Sequence, residues 1–135
     1  MNEISNKRIE KLEVWFYIIL VLISLAMRFW DLGSRSFGYD ESLHAYYSYV
    51  LYQGDGFQHT PLMHGPLQFH GTALMFFLFG DSDYTARLLH VIFGTLIVIL
   101  PFFLKDKMGS IGAFITAFMI AFSPMMLYYS RYARN

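Results

Sequence analysis

Asp40 and Glu41 are adjacent carboxylates in the stretch FGYDESLHAYY, ringed by aromatic residues and set just past an apolar run. Adjacent acids there can do general-base work, one taking a proton from an attacking hydroxyl while its neighbour tunes its charge. They also suit a helix start. Asp40 is well placed as an N-cap, its carboxylate accepting free amide hydrogens of the next turn. Glu41 then sits in the first turn, where the helix dipole favours an acid. His44 follows Asp40 at i, i+4 on the same helical face. Further on, HTPLMHGPLQFH gathers His59, His64 and His70. Imidazole suits zinc, so a divalent cation is one reading, but these spacings match neither a helical face nor a zinc motif. Pro61, Gly65 and Pro66 make a rigid turn there. The remaining readings of His64 are an ordinary loop histidine and a hydrogen-bond donor to a phosphate.

Three arginines complete the chemistry-bearing set. Arg87 lies in GDSDYTARLLH, and Arg131 and Arg134 lie in YYSRYARN. Arg87 reads either as a surface anchor that snorkels or as a partner for a lipid phosphate. Arg131 and Arg134, at i, i+3, share a face if the segment is helical. Guanidinium forks fit phosphate oxygens with paired hydrogen bonds. The plainer role is headgroup anchoring at the end of a span.

The elements that must position these residues are apolar. The chain has 135 residues, 56% hydrophobic and only 15% charged, against about 25% charged in a soluble domain. With 14 Phe and 10 Tyr, this is a chain that meets lipid. Its zero net charge gives no electrostatic case for nucleic acid. It has no cysteine, which excludes disulfides and thiolate metal sites. Apolar runs over 14–30, 88–104 and 111–129 predict three membrane spans. In the first, Arg28 is expected to snorkel outward and Trp30 to anchor at the interface. The same run could be a cleaved signal peptide, with Lys7, Arg8 and Lys11 as its basic region and Ser24-Leu25-Ala26 as the cleavage site. A retained anchor is preferred because more apolar segments follow. Pro124 falls near the far end of the third run, where neighbouring helices can absorb a kink.

The segment 66–79 is too short for a core of about 30 Å and reads as interfacial or re-entrant. Residues 31–87 then form one external loop. Lys7, Arg8, Lys11, Lys105 and Lys107 lie inside and Arg28, Arg35, Arg87, Arg131 and Arg134 outside. That even division gives no positive-inside bias, and the rule mildly favours a crossing segment instead. Within the loop, Leu43, Tyr47, Val50 and Leu51 recur at helical spacing and predict an apolar face. Tyr46, Tyr49 and Tyr52 suit the headgroup layer. The segment reads as a juxtamembrane helix on the outer surface, ended by Gly54-Asp55-Gly56. Asp81 or Ser82 is expected to cap the second span. YYSRYARN carries no helix-ending signal, so the chain reads as the N-terminal piece of a longer membrane protein.

The ordered blocks YDESLHAYYSYVLYQGDGF, HGPLQFH, LFGDSDYTARLLHVIFG and SPMMLYYSRYAR resemble the N-terminal part of the integral-membrane glycosyltransferases of the C fold (GT-C). These include protein O-mannosyltransferases and lipid A aminoarabinose transferases. The sequence is most similar to a prokaryotic branch named for association with flippase activity in archaeal N-glycosylation gene clusters. The resemblance covers residues from about 12 to the end. It implies an all-α membrane protein, multi-pass in the cell membrane with a cytoplasmic N-terminus. About three transmembrane helices would accompany a large external first loop carrying juxtamembrane helices. It also implies that the chain re-enters the bilayer only after that loop.

The resemblance implies a role for each matching residue. Asp40, with Glu41 beside it, matches the catalytic acid. His64, Arg87, Arg131 and Arg134 would contact the lipid phosphate. Where the family often has Glu-Lys before two prolines, Met63 and His64 stand here, which weakens the case for a metal at that position. The implied reaction moves a sugar from a polyprenyl-phosphate donor to an acceptor hydroxyl on a glycan or protein. It takes place on the non-cytoplasmic side, with inversion, and Asp40 takes the acceptor proton, a role worth roughly 10²–10⁴ in rate. The alternative is a non-catalytic, flippase-associated protein that handles the lipid-linked sugar. Three spans alone are expected to be inactive as a transferase.

Overall fold

The computed structural model describes residues 2–56 and 65–134, with side chains from residue 11 onward. Seven helices follow one another among the described residues: α1 (Asn2–Phe29), α2 (Tyr39–Gln53), α3 (Pro66–Phe79), α4 (Asp83–Phe103), α5 (Lys105–Met108), α6 (Ser110–Phe122) and α7 (Pro124–Tyr129). His59 and His64 fall outside the described residues.

Two helices, Lys11–Phe29 of α1 and Asp83–Phe103 of α4, are long and apolar enough to cross a bilayer, each with mean hydropathy 2.0. Their exposed sides are as apolar as their packed sides. Ile18, Leu22 and Ile23 project outward from α1, and Ile92, Leu96 and Leu100 from α4. A helix that is apolar all round has no water-facing side, as a membrane span requires. The packed stripe of α1 runs through Tyr17, Leu20, Ser24 and Arg28, and that of α4 through Val91, Thr95 and Val98. Against them α6 sets Ala113, Ala117 and Ala121, all fully buried. Small residues one turn apart make a flat ridge that lets backbones approach closely.

The third apolar run, expected as one span over 111–129, is two helices. Pro124 has no backbone N–H, so the helical ladder stops, and α7 restarts with the Ser123 hydroxyl accepting from Met126 N–H at 3.5 Å. Lys105 pairs with Glu13 at 3.5 Å, so the end of α4 meets the start of the α1 span. At the opposite end, Arg87 near the start of α4 bonds Leu32 O, just past α1. Arg131, just past α7, bonds Trp30 O there too. The helices α1, α4 and α6–α7 therefore alternate in direction, and α2 and α3 gather at the Leu32 end.

At 14 residues, α3 is about 21 Å long. It packs beside the first turns of α4: Met75 joins Leu32, Leu88 and Val91 in one buried cluster. The turn between them is set by Ser82, as expected. Its hydroxyl accepts from Thr85 N–H at 3.1 Å, and its own N–H donates to Thr85 Oγ1 at 2.9 Å, a reciprocal cap.

Two expectations need correction. Gly38, not Asp40, precedes the first turn of α2. The face of α2 that packs against the other helices is Glu41, His44, Ala45 and Ser48, and the apolar set Leu43, Tyr47, Val50 and Leu51 is half-buried beside it. Small side chains there let α3 approach, and Glu41 is drawn in by arginines. Arg28, expected to snorkel outward, is fully buried in the bundle. Trp30, by contrast, is 77% exposed, as an interfacial anchor would be.

At Gly94 α4 leaves no room for a side chain, for an added Cβ would stand 2.2 Å from Ser130 Cβ. Gly94→Ala should therefore destabilise the bundle by about 1–3 kcal/mol through overpacking. The readout is the thermal unfolding midpoint in detergent, which should fall. An unchanged midpoint would mean that Ser130 is not seated on Gly94.

Candidate functional site

Glu41 is fully buried where four segments meet. Arg87 Nε donates to its Oε1 at 2.9 Å and Arg87 Nη2 to Oε2 at 3.2 Å. Arg35 Nη2 donates to Oε2 at 2.9 Å, Gly38 N–H to Oε2 at 3.3 Å and Ala133 N–H to Oε1 at 3.0 Å. The carboxylate thus ties the α1–α2 loop, α4 and the C-terminal tail to α2. Burial alone would raise its pKa. The Arg87 hydrogen bonds, the Ala133 and Gly38 N–H groups and the Arg87 charge outweigh that and hold it below the ordinary carboxylate value.

Arg87 is used up internally. It is 1% exposed, gives Nη1 to Leu32 O at 2.8 Å, and lies over the Phe37 ring at 4.8 Å. In this arrangement Glu41 is a buried anchor and Arg87 its ion-pair partner. The cause is charge pairing across the fold, between residues far apart in sequence.

Asp40, one residue back, points elsewhere. Its Oδ2 pairs with Arg134 Nη1 at 3.0 Å, and both side chains are part-exposed. His44, on the same face, meets the backbone carbonyl of Asp40 at 2.7 Å through Nδ1 and stacks on Phe69 at 5.3 Å. His90 Nε2 lies 3.2 Å from Arg134 O, so the tail is fixed by its backbone at Ala133 and Arg134. Burial, followed by the charges of Glu41, Tyr128 and Asp40, raises the Tyr132 phenol, and Arg134 opposes them.

Arg131 and Arg134 do not share a face. The helix ends at Tyr129, and the two side chains diverge in the irregular tail. Arg131 turns back to Trp30 O at 2.5 Å and Asp31 O at 3.3 Å. It lines a cavity of about 210 Å³ with Asp31, Leu32, Ser34, Arg35 and Tyr128. Arg35 carries the other cation of that cavity, lying 5.2 Å from the centres of both the Tyr128 and Tyr132 rings. Sequence reasoning gave Arg35 no role. Its only signal was a basic residue inside a Gly/Ser loop just before the acid pair.

Arg35 and Arg87 pair with Glu41 and Arg134 with Asp40, while Arg35 and Arg131 share their cavity with Asp31. Two guanidinium groups in one cavity can meet an anion. Among the described residues no group of three His, Cys, Asp or Glu side chains could hold a metal ion; His59 and His64 lie outside them. No protein-family model, curated protein or solved structure matches this chain.

The sign of the Glu41 effect is set by its lowered pKa. The stability it contributes is complete above the unfolded carboxylate value of about 4.3 and is lost as pH falls through the lower folded value. Glu41→Gln should cost about 3–5 kcal/mol at neutral pH, because it leaves Arg87 buried without its partner. It should also flatten the acid limb of the stability curve. Denaturation followed by circular dichroism across pH checks both, and a wild-type acid limb in the variant would refute the assignment.

Proposed function

We propose that this chain forms the donor-handling end of a polyprenyl-phosphate-sugar-dependent glycosyltransferase in the cell membrane. Its N-terminus would be cytoplasmic and the Asp40 end would lie on the other side. The observation that carries the reading is the part-exposed Asp40 carboxylate, paired with Arg134 and adjacent in sequence to the Glu41 anchor. Beside that anchor, Arg35 and Arg131 line a cavity together with Asp31. The GT-C resemblance of the sequence supplies the substrate class.

The chemistry would run as a single displacement with inversion. The acceptor oxygen bonds to the anomeric carbon while the bond from that carbon to the phosphate oxygen breaks. The electron pair leaves with the phosphate, and the acceptor proton passes to Asp40. Charge growing on the leaving phosphate is stabilised by fixed guanidinium groups in a partly dry site. In this scheme Arg134 and Arg131 are the phosphate contacts. Glu41 and Arg87 act only by holding α2, α4 and the tail in register. The acceptor, a glycan or a protein hydroxyl, would approach from the exposed side of Asp40.

One observation favours a second reading. Asp40 Oδ2 already carries a guanidinium partner at 3.0 Å, as suits a protein that only holds a lipid-linked sugar, in the manner of a flippase-associated component. The two readings part on Asp40→Asn. A transferase should lose roughly 10²–10⁴ in turnover while still binding undecaprenyl phosphate. A lipid-handling protein should keep both binding and transport. Transfer is to be assayed with the full gene product reconstituted in liposomes. Arg131→Ala should weaken undecaprenyl phosphate binding by roughly 10-fold or more. Unaltered binding in both Arg131→Ala and Arg134→Ala would remove the phosphate site and both readings with it.

A further inference from the structure

We propose that Arg28 is a positioning residue: an intramembrane cap that holds the elbow between α6 and α7 and thereby sets where the tail 130–134 meets Glu41 and Asp40. The inference does not depend on the glycosyltransferase reading. Pro124 cannot donate, so Ile120 O loses its ordinary partner four residues on. Among the described residues no backbone N–H reaches Ile120 O or Ala121 O across the break. Orphan carbonyls of this kind are costly in an apolar medium. They also carry the negative end of the α6 dipole.

Arg28 supplies both donors. Its Nη2 lies 3.4 Å from Ile120 O and its Nη1 3.5 Å from Ala121 O. Nη1 is steadied from its own helix by Ser24 Oγ and by Ser24 O at 3.3 Å. No carboxylate pairs with Arg28 among the described residues. The counter-charge of this fully buried cation is therefore the carbonyl end of a helix. Intramembrane arginines face the bundle interior and find carbonyl partners for this reason.

The consequence reaches the site. Ser130, which ends α7, is buried and sits over Gly94, where an added Cβ would also stand 3.3 Å from Arg28 Nε. Directly after Ser130 come the bonds of Arg131 to Trp30 O, of Ala133 N–H to Glu41 and of Arg134 to Asp40. A cap on the elbow thus fixes the direction in which the tail leaves the bundle.

The test is a double-mutant cycle between Arg28 and Pro124. The chain has no cysteine, so cysteines introduced at Ile111 and Tyr129, both exposed, take spin labels selectively. Pulsed electron-spin distances are then read in nanodiscs. Wild type should give one narrow distance. Arg28→Met should widen and shift it. Pro124→Ala restores a backbone N–H that can reach Ile120 O, so adding Pro124→Ala to Arg28→Met should narrow the distribution again. Arg28→Lys keeps the charge but loses the two-pronged donation, and should widen it partway with the same rescue. Should Arg28→Met fail to fold, the Lys variant carries the cycle alone. An unchanged distance in both Arg28 variants, or equal widening with and without Pro124→Ala, would overturn the proposal.

Discussion

A carboxylate with no exposure must be held by donors or it will not stay ionised. Glu41 meets that demand with Arg87, Arg35 and the N–H groups of Gly38 and Ala133. These donors come from the loop after α1, from α4 and from the end of the chain, so satisfying one side chain fixes three backbone segments against α2. Desolvation of a buried pair can exceed its Coulomb gain, so such a network is better evidence for specificity than for stability. Its value here is register: α2 can slide or rotate only by leaving a charge unpaired in a dry place.

That register decides what Asp40 can do. Successive helical residues point about 100° apart. Burying Glu41 therefore turns Asp40 to the side, toward the tail. The tail in turn is held at Ala133 by Glu41 and at Arg134 by the His90 contact. The Asp40–Arg134 pair is accordingly a meeting of two part-exposed groups on fixed backbones, free to exchange partners without moving the fold.

Much of the helical layout was legible in the sequence. Long uncharged runs marked the cores of α1 and α4. Pro66 and the shortness of its run marked α3, Ser82 marked the cap, and Gly54, with φ of 99° at the end of α2, marked the stop. Each of those signals is local. What escaped is non-local. The buried face of α2 is polar because arginines distant in sequence neutralise it, and hydrophobic spacing cannot report a charge pair formed across 46 residues. Arg28 escaped for a like reason. Snorkelling is the default for a lone cation near a span end, and only the carbonyls freed at Pro124, on another helix, give it a reason to turn inward. The third run was expected as one span with a kink at Pro124; neither its division into α6 and α7 nor the effect on the arginines beyond it was read from the sequence.

The divergence of Arg131 and Arg134 follows from the same non-local control. In a continued helix their spacing would put them side by side as a single fork. Because α7 ends at Tyr129, the chain instead crosses the mouth of the bundle. One guanidinium is spent on the carbonyls at the end of α1 and the other on Asp40. The positive charge at this end is thereby spread on both sides of the Glu41 anchor, with Arg35 beside the stacked rings of Tyr128 and Tyr132. A compact anion with several acceptor oxygens can draw on cations in such an arrangement from more than one direction. Under the proposed function a phosphate would have to compete for these guanidinium groups with the carbonyls of Trp30 and Asp31 and with the Asp40 carboxylate.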